Sequence, residues 1–270
     1  MLKTTPLGAN SGLIVSRLCL GTMNFGEPGR GHQGDWTLGL DDARPLFKAA
    51  IEKGLFYFDC ADIYGIGASE MVVGALLREL LPRDEYVLAS KISMPMGKNP
   101  NQGGLSRKHV MEGVDACLKR LGVDYLDKLV IHRHPHGIAG HETTPIEETL
   151  EALHDVVKAG KVTYLGASSM FAWQFAELQL TAKLNGWTPF VSMQNHYNLV
   201  YREEERDAAL LRKERRGGDA MVAPGAGHFG RGLSGWIFGR LDGAQPGPRP
   251  DPHRGPLSRR GGVRHCRQGD

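Results

Sequence analysis

Residues 55–80 read LFYFDCADIYGIGASEMVVGALLREL. The first part contains a short aromatic run, FYFD at 56–59, of the kind that forms a buried strand. A glycine-containing loop follows, and from residue 69 to residue 80 the apolar residues recur at helical spacing. A strand joined to a helix by a short loop is the repeating unit of a parallel α/β sheet.

The same unit recurs along the chain. Candidate strands are LCLG near 18–21, FYFD at 56–59, YVLASK at 86–91, DKLVIH at 127–132, VTYLGAS at 162–168 and FVSMQ at 190–194. Helical patterns lie at about 41–53, 69–80, 106–121, 146–159, 171–184 and 202–214. This alternation predicts an α/β fold of the (β/α)8 TIM-barrel type with about six of eight units recognisable. The first fifteen residues, with turn residues near Gly8, predict an N-terminal β-hairpin.

The composition changes after Glu214. Residues 215–270 contain fourteen Gly, ten Arg and six Pro but neither Lys nor Glu, and no strand or helix period is sustained there apart from a brief GLSGWIF. We therefore expect two regions: residues 1–214 form the barrel, and residues 215–270 form an irregular, disordered tail.

Two origins of this tail stay open. A natural Gly/Arg/Pro-rich tail could bind RNA or anionic surfaces. Alternatively, arginine without lysine is what GC-rich DNA yields when it is translated out of frame. Shifted by one nucleotide, the codons from Arg215 to Gly230 can spell a segment containing Trp-Ser-Pro-Leu, with an apolar strand before a polar loop. A frame change near Glu214 predicts this alternative coding in the DNA, which sequencing of the gene checks.

Bulk properties exclude several classes of protein. The 33 basic and 30 acidic residues of the 270-residue chain give a net charge of +3, too small an excess to predict nucleic-acid binding. The four cysteines form no C-x-x-C pair, so neither a zinc knuckle nor a disulfide framework is expected. Neither a leader segment nor an apolar run of membrane-spanning length is recognisable. We expect a cytoplasmic protein without a membrane partner.

Polar residues stand where the predicted strands end, which is where parallel barrels carry their catalytic groups. Asp59, Lys91 and His132 end the second, third and fourth strands, and Tyr64 lies in the loop after Asp59. Reduction of a carbonyl needs a proton donor for the developing alkoxide. Tyr64 suits that role, with Lys91 lowering the pKa of its phenol, Asp59 holding Lys91 and His132 orienting the carbonyl oxygen.

Several ordered motifs resemble the aldo-keto reductase family. Phe58-Asp59-Cys60-Ala61-Asp62-Ile63-Tyr64-Gly65 with Ser69-Glu70 is similar to its signature, and residues 126–133, 160–169 and 194–198 resemble its fourth, fifth and sixth strands. The similarity covers about residues 3–214. Within the family it is more similar to the bacterial, channel-β-subunit-like and aryl-alcohol-dehydrogenase-like branches than to the mammalian aldose reductases.

This resemblance implies NADPH-dependent reduction of aldehydes or ketones to alcohols without a metal. By position, Asp59, Tyr64, Lys91 and His132 match the family's catalytic residues. The resemblance implies two groups of cofactor-binding residues, Ser168, Ser169 and Gln194 for the nicotinamide carboxamide, and Gly21, Thr22 and Met23 beneath the nicotinamide ring. Ser169 stands where many family members carry Asn.

Two segments that the family uses to bind the cofactor are not recognisable in this sequence. The family holds the cofactor's pyrophosphate and 2′-phosphate after strands seven and eight, and neither segment is recognisable here, so weak or absent turnover is expected. A non-catalytic barrel that binds a protein partner is the alternative.

His132, His134 and His136 alternate without a carboxylate partner, so a metal is not expected. Phe171 and Trp173 are interpreted as packing residues. The oligomeric state and the physiological carbonyl substrate stay open.

Overall fold

The computed structural model describes residues 2–8, 11–197 and 220–224, all of them within the first of two units, Met1–Ile237. From residue 20 to residue 197 the described strands alternate with described helices, as the repeating pattern predicts. The predicted helix at 202–214 lies outside the described residues. The α/β fold of the TIM-barrel type is confirmed.

The N-terminal hairpin pairs β1 (Thr4–Pro6) with β2 (Ile14–Ser16) in antiparallel register, as predicted. Within the described ranges, seven parallel strands then form one sheet whose spatial order follows the order of the chain. These strands are β3 (Leu20–Gly21), β4 (Tyr57–Asp59), β5 (Val87–Ile92), β6 (Leu126–Ile131), β7 (Val162–Ser168), β8 (Phe190–Tyr197) and β9 (Ala220–Pro224). All six predicted strands are therefore present.

Five α-helices connect the strands within the described part of the chain. They are α1 (Leu40–Glu52), α2 (Ala68–Leu80), α3 (Arg107–Leu121), α4 (Ile146–Lys158) and α5 (Ala172–Leu184), with short 3₁₀ turns at Arg83–Glu85 and Pro135–Gly137. Local residues fix their ends: the Ser106 hydroxyl accepts from His109 N at the start of α3, and Gly122 ends α3 in a left-handed conformation, with φ of 67°.

One described strand lies within the region that was expected to form an irregular tail. Residues 215–270 were expected to contain no strand, yet Ala220–Pro224 forms β9 and pairs in parallel with β8 from Met193 to Tyr197. The outer edge of β8 carries backbone groups that need hydrogen-bond partners, and the four-residue run Ala-Met-Val-Ala supplies them despite its shortness. The domain boundary at 214 stays a prediction, although β9 lies beyond it.

The large hydrophobic core lies between the sheet and the helices. Phe58 of β4 stacks on Phe47 of α1 with ring centroids 5.6 Å apart, and the edge of Phe25 meets Phe47 at 5.2 Å. A smaller cluster joins Leu7 and Val15 of the hairpin region to residues such as Tyr57, the first residue of β4. The hairpin therefore packs at the end of the sheet where the strands begin, and the opposite strand ends are left for a site.

Candidate functional site

Parallel register brings the predicted catalytic residues to the same end of the sheet. Asp59 is the last residue of β4 and pairs with Ala89, two residues before Lys91 of β5. Lys91 in turn pairs with Val130, and His132 directly follows β6. The carboxyl ends of neighbouring parallel strands meet along one edge, so these side chains share one location.

Lys91 is the centre of the site. Its Nζ lies 2.5 Å from Asp59 Oδ2, donates to Cys60 O at 2.8 Å and reaches the Tyr64 hydroxyl at 3.3 Å. Lys91 is 1% exposed and Asp59 5% exposed. Burial by itself would lower the pKa of Lys91, but the charge of Asp59 and the contact with Tyr64 raise it above its usual value. Lys91 is therefore a fixed cation beside a phenol.

Tyr64 sits in a tight turn after β4, where its backbone N–H donates to Ala61 O at 3.2 Å. The Lys91 Nζ lies 5.0 Å from the centroid of its ring. Burial raises the pKa of Tyr64, and although Lys91 acts in the opposite direction, the balance lies above the ordinary value of 10.0. The net direction differs from the sequence-based expectation, because sequence reasoning counted the cation and could not weigh the burial. A protonated phenol at neutral pH is a proton donor.

His132 stands on the other side of Tyr64. Their ring centroids are 6.0 Å apart with planes nearly perpendicular, at 81°. The His132 backbone N–H donates to Ile92 O at 2.9 Å, which ties the residue to the end of β5. Burial, with Lys91 and Arg133 adding repulsion, lowers the pKa of His132 well below 6.5. The imidazole is therefore neutral at physiological pH and able to act as a hydrogen-bond donor without a positive charge.

The predicted carboxamide-binding residues also lie together. The Ser168 hydroxyl donates to Gln194 O at 2.8 Å, and the Ser169 backbone N–H donates to the same oxygen at 3.0 Å. Gln194 Nε2 donates to Asp59 Oδ2 at 3.3 Å, which links this group to Lys91. Ser169 has a left-handed backbone with φ of 51°, a conformation that non-glycine residues rarely adopt and that often marks a functional site.

The chemistry of this group fits a nicotinamide carboxamide, which offers one acceptor and one donor group. Ser168 and Ser169 present hydroxyls 3.2 Å apart. The buried Gln194 Oε1 has no hydrogen-bond partner among the described residues. An incoming amide could donate to this unpaired oxygen, and the two hydroxyls belong to the same bonded group of residues.

The three residues expected beneath the nicotinamide ring follow β3. Thr22 N and Thr22 Oγ1 each donate to Asp59 O at 3.0 Å, so this segment is bonded to the end of β4. Gln33 Nε2 donates to Met23 O. A methyl group added at Gly21 would meet nothing within 4 Å, so Gly21 borders open space. The structure thus places Gly21 and Thr22 beside Asp59, and Met23 follows them and is held by Gln33.

Sequence reasoning missed two buried charged groups. Lys128 of β6 is fully buried, and its Nζ donates to Tyr57 OH at 2.5 Å. Glu70 of α2 is also fully buried and accepts from Ser90 Oγ and Arg120 Nε, each at 2.5 Å. The sequence carries a signal for both residues. Lys128 interrupts the apolar run of a predicted strand, and Glu70 belongs to the quoted signature although no role was assigned to it.

The interpretation of Phe171 and Trp173 as packing residues is wrong. Their exposed fractions are 65% and 63%, because they lie at the start of α5, on a side of the helix that faces solvent. The His134 and Trp173 ring centroids are 6.5 Å apart, and His134 also meets His136 at 5.1 Å.

Among the described residues, no group of His, Cys, Asp or Glu has an arrangement that could hold a metal ion. None of the described helices is both long and apolar enough to cross a membrane.

Comparisons with known proteins identify the family of the chain. Residues 17–217 match the Aldo/keto reductase family. Over 73% of its length the chain is 44% identical to "Aldo-keto reductase AMT2" of Alternaria alternata, covering 58% of that protein. With the same 73% coverage, it is 43% identical to "Putative aryl-alcohol dehydrogenase C977.14c" of Schizosaccharomyces pombe and to "Versiconal hemiacetal acetate reductase" of Aspergillus parasiticus, covering 60% of each.

These relatives are fungal, so they support the aryl-alcohol-dehydrogenase-like part of the expected branch and not the bacterial part. The chain spans about three fifths of their length. Because the family match covers most of the chain and runs through all six predicted strands, this protein belongs to the aldo/keto reductase family.

Proposed function

We propose that this protein reduces aldehydes or ketones to alcohols with NADPH as the hydride donor. The observation that carries the proposal is the contact of one buried ammonium group with both a carboxylate and a phenol. Lys91 Nζ lies 2.5 Å from Asp59 and 3.3 Å from the Tyr64 hydroxyl. A phenol fixed beside a cation in a buried site is suited to protonating an alkoxide as it forms.

Ser168, Ser169 and Gln194 would hold the nicotinamide carboxamide, and Gly21, Thr22 and Met23 would lie beneath the nicotinamide ring. When bound, the cofactor supplies a hydride to the carbonyl carbon. The choice of NADPH over NADH rests on the family resemblance. A comparison of the two cofactors at equal concentration tests it, because the proposal requires a lower Kd for NADPH.

Tyr64 donates its hydroxyl proton to the carbonyl oxygen of the substrate. Burial keeps this hydroxyl protonated at neutral pH, since the pKa of Tyr64 is raised. Lys91 stabilises the negative charge that remains on the phenolic oxygen, and Asp59 holds Lys91 in place. The neutral His132 ring, 6.0 Å from the Tyr64 ring, donates a hydrogen bond to the same carbonyl oxygen and fixes its direction of approach.

The substrate class rests on the same group of residues. A proton donor and a neutral hydrogen-bond donor converge on one oxygen, which is what a carbonyl group presents. The names of the relatives from Schizosaccharomyces pombe and Aspergillus parasiticus refer to an alcohol dehydrogenase and a reductase. Those names support exchange between carbonyl and alcohol as the reaction of this chain.

Three further parts of the proposal depend on residues outside the described ranges or on composition. Turnover is expected to be weak, because the family's segments for the pyrophosphate and 2′-phosphate are not recognisable in residues 215–270. The division into a barrel at 1–214 and a tail at 215–270 belongs to the same proposal. The cytoplasmic location stays a prediction that microscopy of the tagged full-length chain checks.

The experiment is an assay of the purified full-length chain with NADPH and a nitrobenzaldehyde, followed by loss of NADPH absorbance. We expect Tyr64→Phe to abolish turnover while nicotinamide fluorescence still reports binding of the cofactor. Tyr125→Phe is the matched control, since Tyr125 precedes β6 at the opposite end of the sheet and should leave the rate unchanged. Equal rates for wild type and Tyr64→Phe would overturn the assignment, and a wild-type rate ordinary for the family would overturn only the expected weakness.

A further inference from the structure

We propose that Glu70 is a positioning residue for Lys91, acting through Ser90, and that the first turn of α2 fixes the distance between Lys91 and Tyr64. The inference rests on the proposed function for its kinetic test, but its structural basis is independent. It assigns a role to the Ser69-Glu70 pair that ends the signature stretch.

Glu70 is a fully buried carboxylate with both oxygens engaged. Ser90 Oγ donates to Oε1 and Arg120 Nε donates to Oε2, each at 2.5 Å. Ser90 belongs to β5 and Arg120 to α3, so Glu70 joins α2 to two other elements. Charge-assisted hydrogen bonds of this length are among the stronger ones in proteins.

Ser90 and Lys91 are neighbours in β5, and successive side chains of a strand point to opposite faces of the sheet. The Ser90 side chain bonds to α2 on the helix side, whereas Lys91 reaches Asp59 and Tyr64 on the other side. Glu70 therefore holds the β5 backbone at the residue next to Lys91. A shift of the backbone there would move Lys91 Nζ by a similar amount.

Ser69, the residue before Glu70 in α2, is bonded to the segment after β3 and through it to the end of β4. Ser69 Oγ donates to Thr22 O at 2.8 Å, and Thr22 Oγ1 donates to Asp59 O at 3.0 Å. Two consecutive residues of α2 are thus connected to Lys91 through Ser90 and to Asp59 through Thr22. The loop that carries Tyr64 lies between Asp59 and the start of α2, so both of its ends belong to the same bonded unit.

The contact that most needs such support is the one between Lys91 and Tyr64. At 3.3 Å it is the longest of the three hydrogen bonds of Lys91 Nζ. Lengthening by only a few tenths of an ångström would take it beyond the range of a hydrogen bond. The other two bonds, at 2.5 and 2.8 Å, would survive the same shift.

Two ionisable side chains interact with Glu70, those of Arg120 and Asp62. Arg120 contacts Glu70 directly and also donates to Cys117 Sγ at 3.5 Å. Asp62 is 1% exposed, and burial together with the charge of Glu70 raises its pKa. Asp62 Oδ2 has no hydrogen-bond partner among the described residues. Arg120 is therefore the charged partner of Glu70, and Asp62 is the neighbouring carboxyl group whose pKa the charge of Glu70 raises.

The kinetic test compares Ser90→Ala and Glu70→Gln with Glu79→Gln. Glu79 lies on the same helix and pairs with Arg44 at 3.0 Å on the surface, so its variant is the matched control. The assay is oxidation of an alcohol with NADP⁺. In this direction Tyr64 must be deprotonated so that it can accept the proton of the alcohol. In Ser90→Ala and Glu70→Gln we expect the apparent pKa of Tyr64, read from the pH dependence of the rate, to rise by about one unit. We also expect kcat to fall about tenfold. The cofactor KM should not change.

An unchanged apparent pKa of Tyr64 and an unchanged kcat in folded Ser90→Ala would overturn the inference. Glu70→Gln leaves the half-buried Arg120 cation without a charged partner and is the variant more prone to unfold, so Ser90→Ala decides if the two differ. If wild type has no turnover, the proposed function fails and the inference is tested by urea unfolding alone.

That second test is a double-mutant cycle of Ser90→Ala with Tyr64→Phe. The two side chains have no hydrogen bond to each other. If Ser90 keeps Lys91 at the Tyr64 hydroxyl, removal of that hydroxyl will cost less in the Ser90→Ala background. We expect the unfolding equilibrium constants to deviate from additivity by about threefold or more, and additive effects would overturn the inference. The cycle of Glu79→Gln with Tyr64→Phe should be additive.

Discussion

Lys91 and Asp59 form a buried ion pair in which Nζ lies 2.5 Å from Oδ2 while both side chains are almost fully removed from solvent. Removing one partner of such a pair leaves an uncompensated buried charge. We expect Lys91→Met to lower the free energy of unfolding by about 3–5 kcal/mol, measured by urea denaturation.

The double variant Asp59→Asn/Lys91→Met should recover part of that loss, because no isolated charge then remains. Lys108→Met is the control, since Lys108 forms an exposed pair with Glu112 on α3 and should change stability little. A double variant that is less stable than Lys91→Met would contradict this account of the pair.

The neutral state of His132 predicts how stability depends on pH. Burial lowers the pKa of His132 below 6.5, so the folded protein keeps the ring neutral where the unfolded chain binds a proton. The unfolded state then binds more protons, and stability falls as pH drops below about 6.5. His132→Asn should reduce this dependence when midpoints of urea unfolding are measured across the acid range. His32 is exposed, and His32→Asn should leave the dependence of the urea midpoint on pH unchanged. The same pH dependence in His132→Asn and wild type would contradict the lowered pKa of His132.

Much of the fold follows from patterns in the sequence, and the exceptions have physical causes. The strands around Phe58 and Leu129 are predictable because short apolar runs alternate with helical periods. Strand β9 is not, since a run as short as Ala220–Pro224 becomes a strand only because β8 offers an edge to pair with. Helix phase also escaped prediction at Trp173, whose position on α5 depends on how that helix is rotated against the sheet.

The location of the site is more predictable than its electrostatics. Asp59, Lys91 and His132 could be placed together because the ends of adjacent parallel strands meet. The direction of the Tyr64 pKa could not be obtained, because it depends on burial that only packing determines. The role of Glu70 likewise depends on Ser90 and on α3 reaching it from distant parts of the chain.

Lys128 predicts a stabilising substitution. Burial, with repulsion from Lys91, lowers the pKa of Lys128 from 10.5 to about 8. The cost of burying its charge is therefore fully present below about pH 8 and disappears as pH rises towards 10.5. That cost is about 3 kcal/mol, and the hydrogen bond to Tyr57 offsets part of it.

We expect Lys128→Met to be more stable than wild type by about 1–2 kcal/mol near neutral pH, with the gain shrinking in alkaline solution. Thermal or urea unfolding at several pH values measures it. Lys48→Met, on the exposed side of α1, is the matched lysine control. A loss of stability in Lys128→Met at neutral pH would mean that the contact with Tyr57 outweighs the cost of the buried charge.

Asp62 predicts the opposite dependence on pH. Burial and the charge of Glu70 raise the pKa of Asp62 well above 3.8. The folded state then binds more protons than the unfolded chain, so stability falls as pH rises from about 4 through the raised pKa. Asp62→Asn removes this proton-binding difference and keeps an acceptor for the Ile63 N–H, which lies 2.6 Å from Asp62 Oδ1.

We expect Asp62→Asn to match wild type near pH 4 and to become progressively more stable than wild type as the solution approaches neutrality, by urea midpoint. The exposed Asp84→Asn should follow the wild-type curve throughout. A constant difference between Asp62→Asn and wild type at every pH would assign its effect to packing and not to protonation.

The pairing of β9 with β8 predicts a positional effect of proline. In the observed register Met221 lies opposite Gln194 and Val222 opposite Asn195. Along a parallel strand only alternate N–H groups point to a given neighbour, and proline has no N–H to donate. One of the two variants Met221→Pro and Val222→Pro should therefore break a ladder bond with β8 and lower the urea midpoint, while the other is tolerated better. The disruptive variant should also scatter more light, because it frees the β8 edge for pairing with another chain. Identical behaviour of the two variants would argue against a strand at 220–224.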